Sequence, residues 1–145
     1  MLYRLGQLLA FLLFTLANLV TFGNLSPLVT VSVIIMKSRR ILAVNHHDGH
    51  GFFLPGGLMK AGESLEKATK REIREETGLT IRLGRFVGLY ERPTGKWFHI
   101  PTLTFAYVGQ IIRGKPKDSL EGTVSWVNPN EIKEEQNIIA DFSRK

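Results

Sequence analysis

Between Ser64 and Gly78 the sequence specifies a helix that carries carboxylates on its apolar side, and few folds tolerate that arrangement. Serine is a favoured N-cap and glycine a favoured C-cap, which sets the two ends. At about 100° per residue, Ala68, Thr69 and Ile73 fall within roughly 80° of Leu65 and mark a core-facing stripe. Glu72 and Glu76 fall within about 20° of Leu65, and Glu75 lies near Ala68. Lys67, Lys70 and Arg74 occupy the opposite side. Carboxylates crowded on a half-buried surface repel one another and lose hydration. A divalent cation removes that conflict. Oxygen donors without His or Cys suit Mg²⁺ or Mn²⁺ rather than zinc. Glu72, Glu75 and Glu76, at i, i+3 and i+4, are spaced to reach one ion cluster. The competing explanation is a Glu-rich, salt-bridged surface helix, which the apolar-side placement disfavours.

The remainder of the chain supplies strands for such a helix to pack on. Its 145 residues fit one domain, and 43% hydrophobic content is enough for one core. No cysteine is present, which excludes disulfides and thiolate metal sites. A formal charge of +6 favours anionic partners, although Lys37, Arg39, Arg40, Arg82, Arg85, Arg113, Lys115 and Lys117 are scattered as in ordinary solvated turns. Leu28 to Met36 is β-branched and reads as a buried strand, followed by a turn over Lys37 to Arg40 and a strand over Ile41 to Asn45. Further strands are expected at Arg85–Tyr90, Thr102–Val108 and Thr123–Val127, with a closing helix from Glu131 to Phe142. Strands interleaved with separated helices imply a mixed sheet between helices.

The helix and the residues leading into it resemble a known motif. Gly57, Glu63, Arg71, Glu72, Ile73, Glu75, Glu76, Gly78 and Leu79 fill every fixed position of the Nudix box, Gly-x5-Glu-x7-Arg-Glu-U-x-Glu-Glu-x-Gly-U, where U is a bulky apolar residue. Leu54-Pro55-Gly56 resembles the usual entry into that box, and the resemblance extends from about Pro27 to the C-terminus. It implies an α/β fold, the Nudix-type α/β/α sandwich with a mixed β-sheet, over residues 26–145. Residues 1–25 form a separate N-terminal apolar helix outside it.

The resemblance also implies an activity: hydrolysis of a diphosphate linkage in a nucleoside diphosphate derivative, such as ADP-ribose or a nucleotide sugar, with Mg²⁺ and with Mn²⁺ as a substitute. The family's metal ligands fall on Glu72, Glu75 and Glu76, joined by the Gly56 carbonyl. Arg71, one turn before Glu75, is placed to orient it by a salt bridge, and Glu63 has a supporting role. The general base is Glu121 or Glu76. Tyr90, Glu91, Trp97 and Phe98, with Arg92, are candidates for holding the leaving group, against the plainer reading that the aromatics only pack. His46, His47 and His50 read as exposed loop residues that meet substrate phosphates at most. Substrate-specific signatures of the family are absent, and Pro93 is a slightly short-spaced counterpart of the proline found in ADP-ribose enzymes. An RNA 5′-end pyrophosphohydrolase and a non-catalytic nucleotide-binding module are the alternatives. The intact box disfavours the second, and no stable nucleic acid partner is expected.

Leu5 to Phe22 is 18 uncharged residues ended by a breaker cluster at Gly23, Asn24, Ser26 and Pro27. Arg4, Gln7, Thr15, Asn18 and Thr21 gather on one side, but Phe11, Phe14 and Phe22 interrupt them, so the helix reads as apolar nearly all round. Membrane attachment through residues 1–25 is the expectation, with the catalytic domain on the cytoplasmic side. A helix packed on the domain or in a homodimer, in a soluble cytoplasmic protein, is the alternative.

Overall fold

Leu28–Lys37 (β1) organises the molecule, because both its faces and both its edges are occupied. The structure, a computed structural model, describes residues 2–21, 27–47, 51–92, 100–120, 122–133 and 135–144. Six further strands are Arg40–His46 (β2), Phe52–Phe53 (β3), Gly56–Leu58 (β4), Thr80–Arg92 (β5), Thr102–Arg113 (β6) and Gly122–Val127 (β7). The helices are Leu2–Val20 (α1), Leu65–Thr77 (α2) and Gln136–Ser143 (α3). One edge of β1 runs parallel to β6 from Leu28 to Ile35, and β5 pairs antiparallel beyond it. The other edge is shared. Its first half takes β4 at Thr30–Ser32, and its far end turns into β2 at Met36 and Lys37. β2 in turn pairs with β7 and β3, so the mixed sheet forks where β4 and β2 part.

Alternate residues of β1 feed two cores. Val33 and Ile35 join Leu42, Ile73, Leu79 and Ile81 on the side of α2. Ile34 joins Ile41, Ala43, Val87, Ala106, Ile138 and Ile139 on the side of α3. Burial on both faces explains why the strand reads as a continuous apolar run. The Ser38 and Arg39 turn has φ of 50° and 62°, the left-handed pair that matches strand twist in a two-residue hairpin.

The expected ends of α2 are the observed ones. The Ser64 Oγ accepts from the Lys67 amide, and Gly78, at φ 71°, donates its amide to the Arg74 carbonyl. The expected closing helix divides. Pro129–Glu131 is a 3₁₀ turn tied by the Glu131 carboxylate to the Asn128 amide. Ile132 is then extended and fully buried, and α3 starts only at Gln136. Inserting one isoleucine into the core interrupts the helix. β5 and β6 run longer than expected, and β3 and β4 were not anticipated at all.

α1 ends at Val20, two residues short of the expected Phe22, which lies outside the described residues. Among the described residues no helix is long and apolar enough to cross a membrane, which corrects the spanning form of the membrane expectation. Polar Arg4, Gln7, Thr15 and Asn18 punctuate α1. Measured from Leu5, exposed Leu9, Leu12, Leu13, Leu16, Leu19 and Val20 lie within an arc of about 120°.

Ile73, fully buried, is the residue of α2 that joins the hydrophobic core on its side of the sheet. Ile73→Ala is expected to lower unfolding free energy by about 2–5 kcal/mol, read from the urea midpoint at unchanged slope. A loss under about 1 kcal/mol would show that α2 is held by its polar contacts instead.

Candidate functional site

The inward side of α2 delivers two carboxylates to the fork of the sheet. Glu72 is 8% exposed and Glu76 3%, one helical turn apart. They are accommodated by the Gly56-Gly57 pair of β4. Glu76 Oε2 accepts from the Gly56 amide at 2.8 Å. A Cβ on Gly57 would stand 2.7 Å from the Glu72 carboxylate, and one on Gly56 only 2.0 Å from the Val31 carbonyl oxygen. Glycine is required at Gly56 for close strand pairing and at Gly57 for the carboxylate.

Arg71 gathers the rest. Its Nε and Nη2 donate to the two oxygens of Glu63 at 2.6 and 2.8 Å. Nη1 donates to Glu72 Oε1 at 2.5 Å and to Glu75 Oε2 at 3.2 Å. Nη2 also reaches the Leu58 carbonyl at 2.9 Å. The expected Arg71–Glu75 pair is therefore present, but Glu63 is the firmer partner. Glu63 is held in turn by the Lys60 amide, across a turn whose Gly62 has φ 80°. The Arg71 hydrogen bonds, then that amide, hold the Glu63 carboxyl down at about 2 from an ordinary 4.5. Glu63, and after it Glu72, push Arg71 further above its already high value.

Glu75 takes the outermost place of the three helix carboxylates Glu72, Glu75 and Glu76. Its side chain is 50% exposed, so it stands at the rim and not on the apolar stripe. Ala68, at nearly the same helical angle, is fully buried. A glutamate stem long enough to reach Arg71 leaves the core where an alanine cannot.

Three carboxylates, Glu63, Glu72 and Glu75, thus meet one guanidinium, and a fourth, Glu76, lies one turn beyond Glu72 on the Gly56 amide. The surplus is negative and the donors are all oxygen, which fits a hard divalent ion. The Gly57 opening against Glu72 fits it as well. Among the described residues no three His, Asp or Glu side chains are converged as a ready cage. The donors are paired with Arg71 and the Gly56 amide instead.

A second carboxylate-bearing element closes the fork, and sequence reasoning missed it. Glu135, just before α3, accepts from the Leu54 amide and from Ser32 Oγ, the latter at 3.2 Å. It thus holds Leu54 while Glu76 holds Gly56, two residues along the same segment. Glu135 sits where an N-cap belongs but makes no side-chain cap bond. In sequence it is one of a polar run, with no signal of this reach. Together with Tyr90, Glu91, Arg92, Thr104 and Ile138 it lines a cavity of about 80 Å³. Tyr90 donates to Asp141 Oδ2 at 2.8 Å and packs on the α3-side core; burial, then Asp141, pushes its hydroxyl up to about 12. A larger hollow of about 400 Å³, between Lys37, Gln110, Lys115 and Trp126, lies at the other end of β1, away from the carboxylates. His46 packs edge-on to Phe53, and His47 is exposed. Trp97, Phe98, Pro93, His50 and Glu121 lie outside the described residues.

Comparison with known proteins agrees with this fold. The family profile described as the NUDIX domain matches residues 26–145. A MutT-like protein of Streptomyces ambofaciens is 31% identical over 117 residues, which cover 74% of this chain and 70% of that protein. An ADP-ribose pyrophosphatase of Methanocaldococcus jannaschii is 33% identical over 129 residues, covering 83% and 75%. Among solved structures, a NUDIX hydrolase from Nitrosomonas europaea superposes with a TM-score of 0.71 at 25% identity, over 82% of this chain and 90% of the other.

The lowered Glu63 carboxyl links this network to acid stability. A carboxyl depressed on folding contributes fully above 4.5, and the contribution is lost as pH falls towards about 2. Unfolding free energy measured across that window should fall more steeply for the parent than for Glu63→Gln. Parallel curves would mean that the Arg71 fork adds nothing to folding.

Proposed function

This chain belongs to the Nudix hydrolase family and is an enzyme that hydrolyses pyrophosphate bonds, and from that premise we propose a Mg²⁺-dependent hydrolase of a nucleoside diphosphate linked to a second group, such as ADP-ribose or a nucleotide sugar. The observation that carries this reading is the pair of buried carboxylates on α2, set against Gly56 and Gly57, with Glu72 sharing Arg71 with Glu63 and Glu75. A purely structural helix gains nothing from such a charge surplus. The relatives' names point the same way, since one is an ADP-ribose pyrophosphatase and one similar fold is a UDP-X diphosphatase. Cytoplasmic nucleotide pools are the corresponding substrate source.

In this reading Glu72, Glu75, Glu76 and the Gly56 carbonyl hold the ion, with Mn²⁺ able to replace Mg²⁺. When bound, the ion neutralises diphosphate charge and lowers the pKa of the attacking water. Arg71 keeps Glu72 and Glu75 on the same side of α2 by bonding both from one nitrogen. The Gly56 amide fixes Glu76 through Oε2. The proton of the attacking water passes to Glu121 or, failing that, to Glu76. Tyr90 and Glu91, beside the small cavity under α3, contact the part of the substrate beyond the phosphates, a role for which Trp97 and Phe98 are candidates from the sequence alone.

The test is a screen of ADP-ribose, nucleotide sugars and dinucleoside polyphosphates with Mg²⁺, reading release of a nucleoside monophosphate. Turnover of RNA 5′-triphosphate ends with none of the small compounds would replace the proposed substrate class. Glu75→Gln and Glu76→Gln are each expected to lower turnover by at least about a hundredfold with the fold intact, through loss of charge at the metal site. Parent-like turnover at saturating Mg²⁺ would remove them from the mechanism. Arg71→Ala should raise the Mg²⁺ concentration needed for half-maximal rate, because Glu72 and Glu75 lose their common anchor.

A further inference from the structure

The stripe on α1 has a spacing that the domain does not use. Leu5, Leu9, Leu12, Leu16 and Leu19 follow one another at intervals of four, three, four and three residues, and each is 54–74% exposed. That is the a/d pattern of a coiled-coil seam, held without interruption and filled by leucine alone. Leu13 and Val20, exposed beside it, widen the seam on one flank. Neither buried core contains a residue of α1, so the seam is not borrowed by the domain. Two threonines off the seam, one in the helix and one just past its end, are satisfied locally. Thr15 and Thr21 each donate to the carbonyl four residues back.

We propose that α1 is a self-association element, in which the leucine seam docks on the same seam of a second copy of this chain. Three observations select that occupant. Knobs-into-holes packing demands the repeat of seven, whereas a lipid surface has no lattice and imposes no such spacing. No acidic or basic residue lies between Leu5 and Val20, so two identical helices meet without like-charge repulsion. The area is also sufficient. Seven half-exposed leucine-sized side chains present on the order of 500 Å² of apolar surface, near the most a monomer leaves uncovered. Two copies together bury on the order of 1,000 Å², the lower bound for a specific interface. The assembly joins two Nudix domains through their N-terminal helices and leaves each carboxylate site complete within its own chain.

Analytical ultracentrifugation of the full chain across a concentration series tests this without reference to substrate. The parent is expected to sediment as a dimer. Leu12→Glu and Leu16→Glu, each placing a charge in the seam, should sediment as monomers with unchanged far-ultraviolet circular dichroism. Ala10→Glu places the same charge outside the seam and should remain dimeric. The parent should not float with phosphatidylcholine–phosphatidylglycerol vesicles. A parent that is monomeric throughout, that forms assemblies larger than two, or that floats with vesicles would overturn the proposal. So would dissociation of Ala10→Glu to the same extent as Leu12→Glu.

Discussion

One guanidinium holds the site together. Arg71 has five N–H groups, and all five are engaged: two by Glu63, one each by Glu72 and Glu75, and one by the Leu58 carbonyl. These partners come from the loop before α2, from α2 itself and from β4. The arginine therefore fixes the distance between helix and sheet while it neutralises part of their negative charge. Lysine, a point charge with three donors, has no geometry that spans the same set. The rest of the site follows from this anchor. With Glu63 and Glu72 taken by Arg71, Glu76 is left to the Gly56 amide, and Glu75 is left at the rim.

Such an arrangement is electrostatically unfinished. A buried ion pair repays its desolvation only when its hydrogen bonds are complete, and the Arg71–Glu63 fork meets that condition. Glu72 and Glu75 draw on the same guanidinium, so three carboxylates share its one positive charge. The sequence places its cations Lys67, Lys70 and Arg74 where they face water, and Lys70 pairs with Glu66 on that outer side. The protein keeps its spare positive charge away from the place that lacks it, which leaves that place to a divalent ion.

How much was legible follows from the range of each interaction. α2 could be read to the residue because its caps, stripe and carboxylates are all local. β1 could be read because burial on two faces leaves an apolar run. Gly56 and Gly57 gave no sign of being a strand, since glycine has no β preference; they are strand because Val31 and Glu72 leave room for nothing larger. Glu75 was placed by angle alone, and angle does not tell how far a long side chain reaches. Glu135 was hidden altogether, because its partners Ser32 and Leu54 stand 103 and 81 residues away. The leucine seam of α1 is spelled out in the sequence, but Phe11 and Phe14 on other sides of the helix make it indistinct until exposure marks one side.

The parallel pairing of β1 with β6 has a consequence for how the protein is made. Thr30 meets Thr104 across 74 residues of chain, and each step of that ladder closes a loop of comparable length. Long-range pairings of this kind form slowly, because the entropy of closure is lost before the contacts are gained. During synthesis, α2 with its carboxylates emerges well ahead of β6. Until β6 arrives, β1 lacks a neighbour on one edge, and the floor that receives Glu72 and Glu76 is not yet fixed. The nascent chain thus carries an acidic, half-apolar helix with no settled seat, and that interval is when the domain is most open to misassembly.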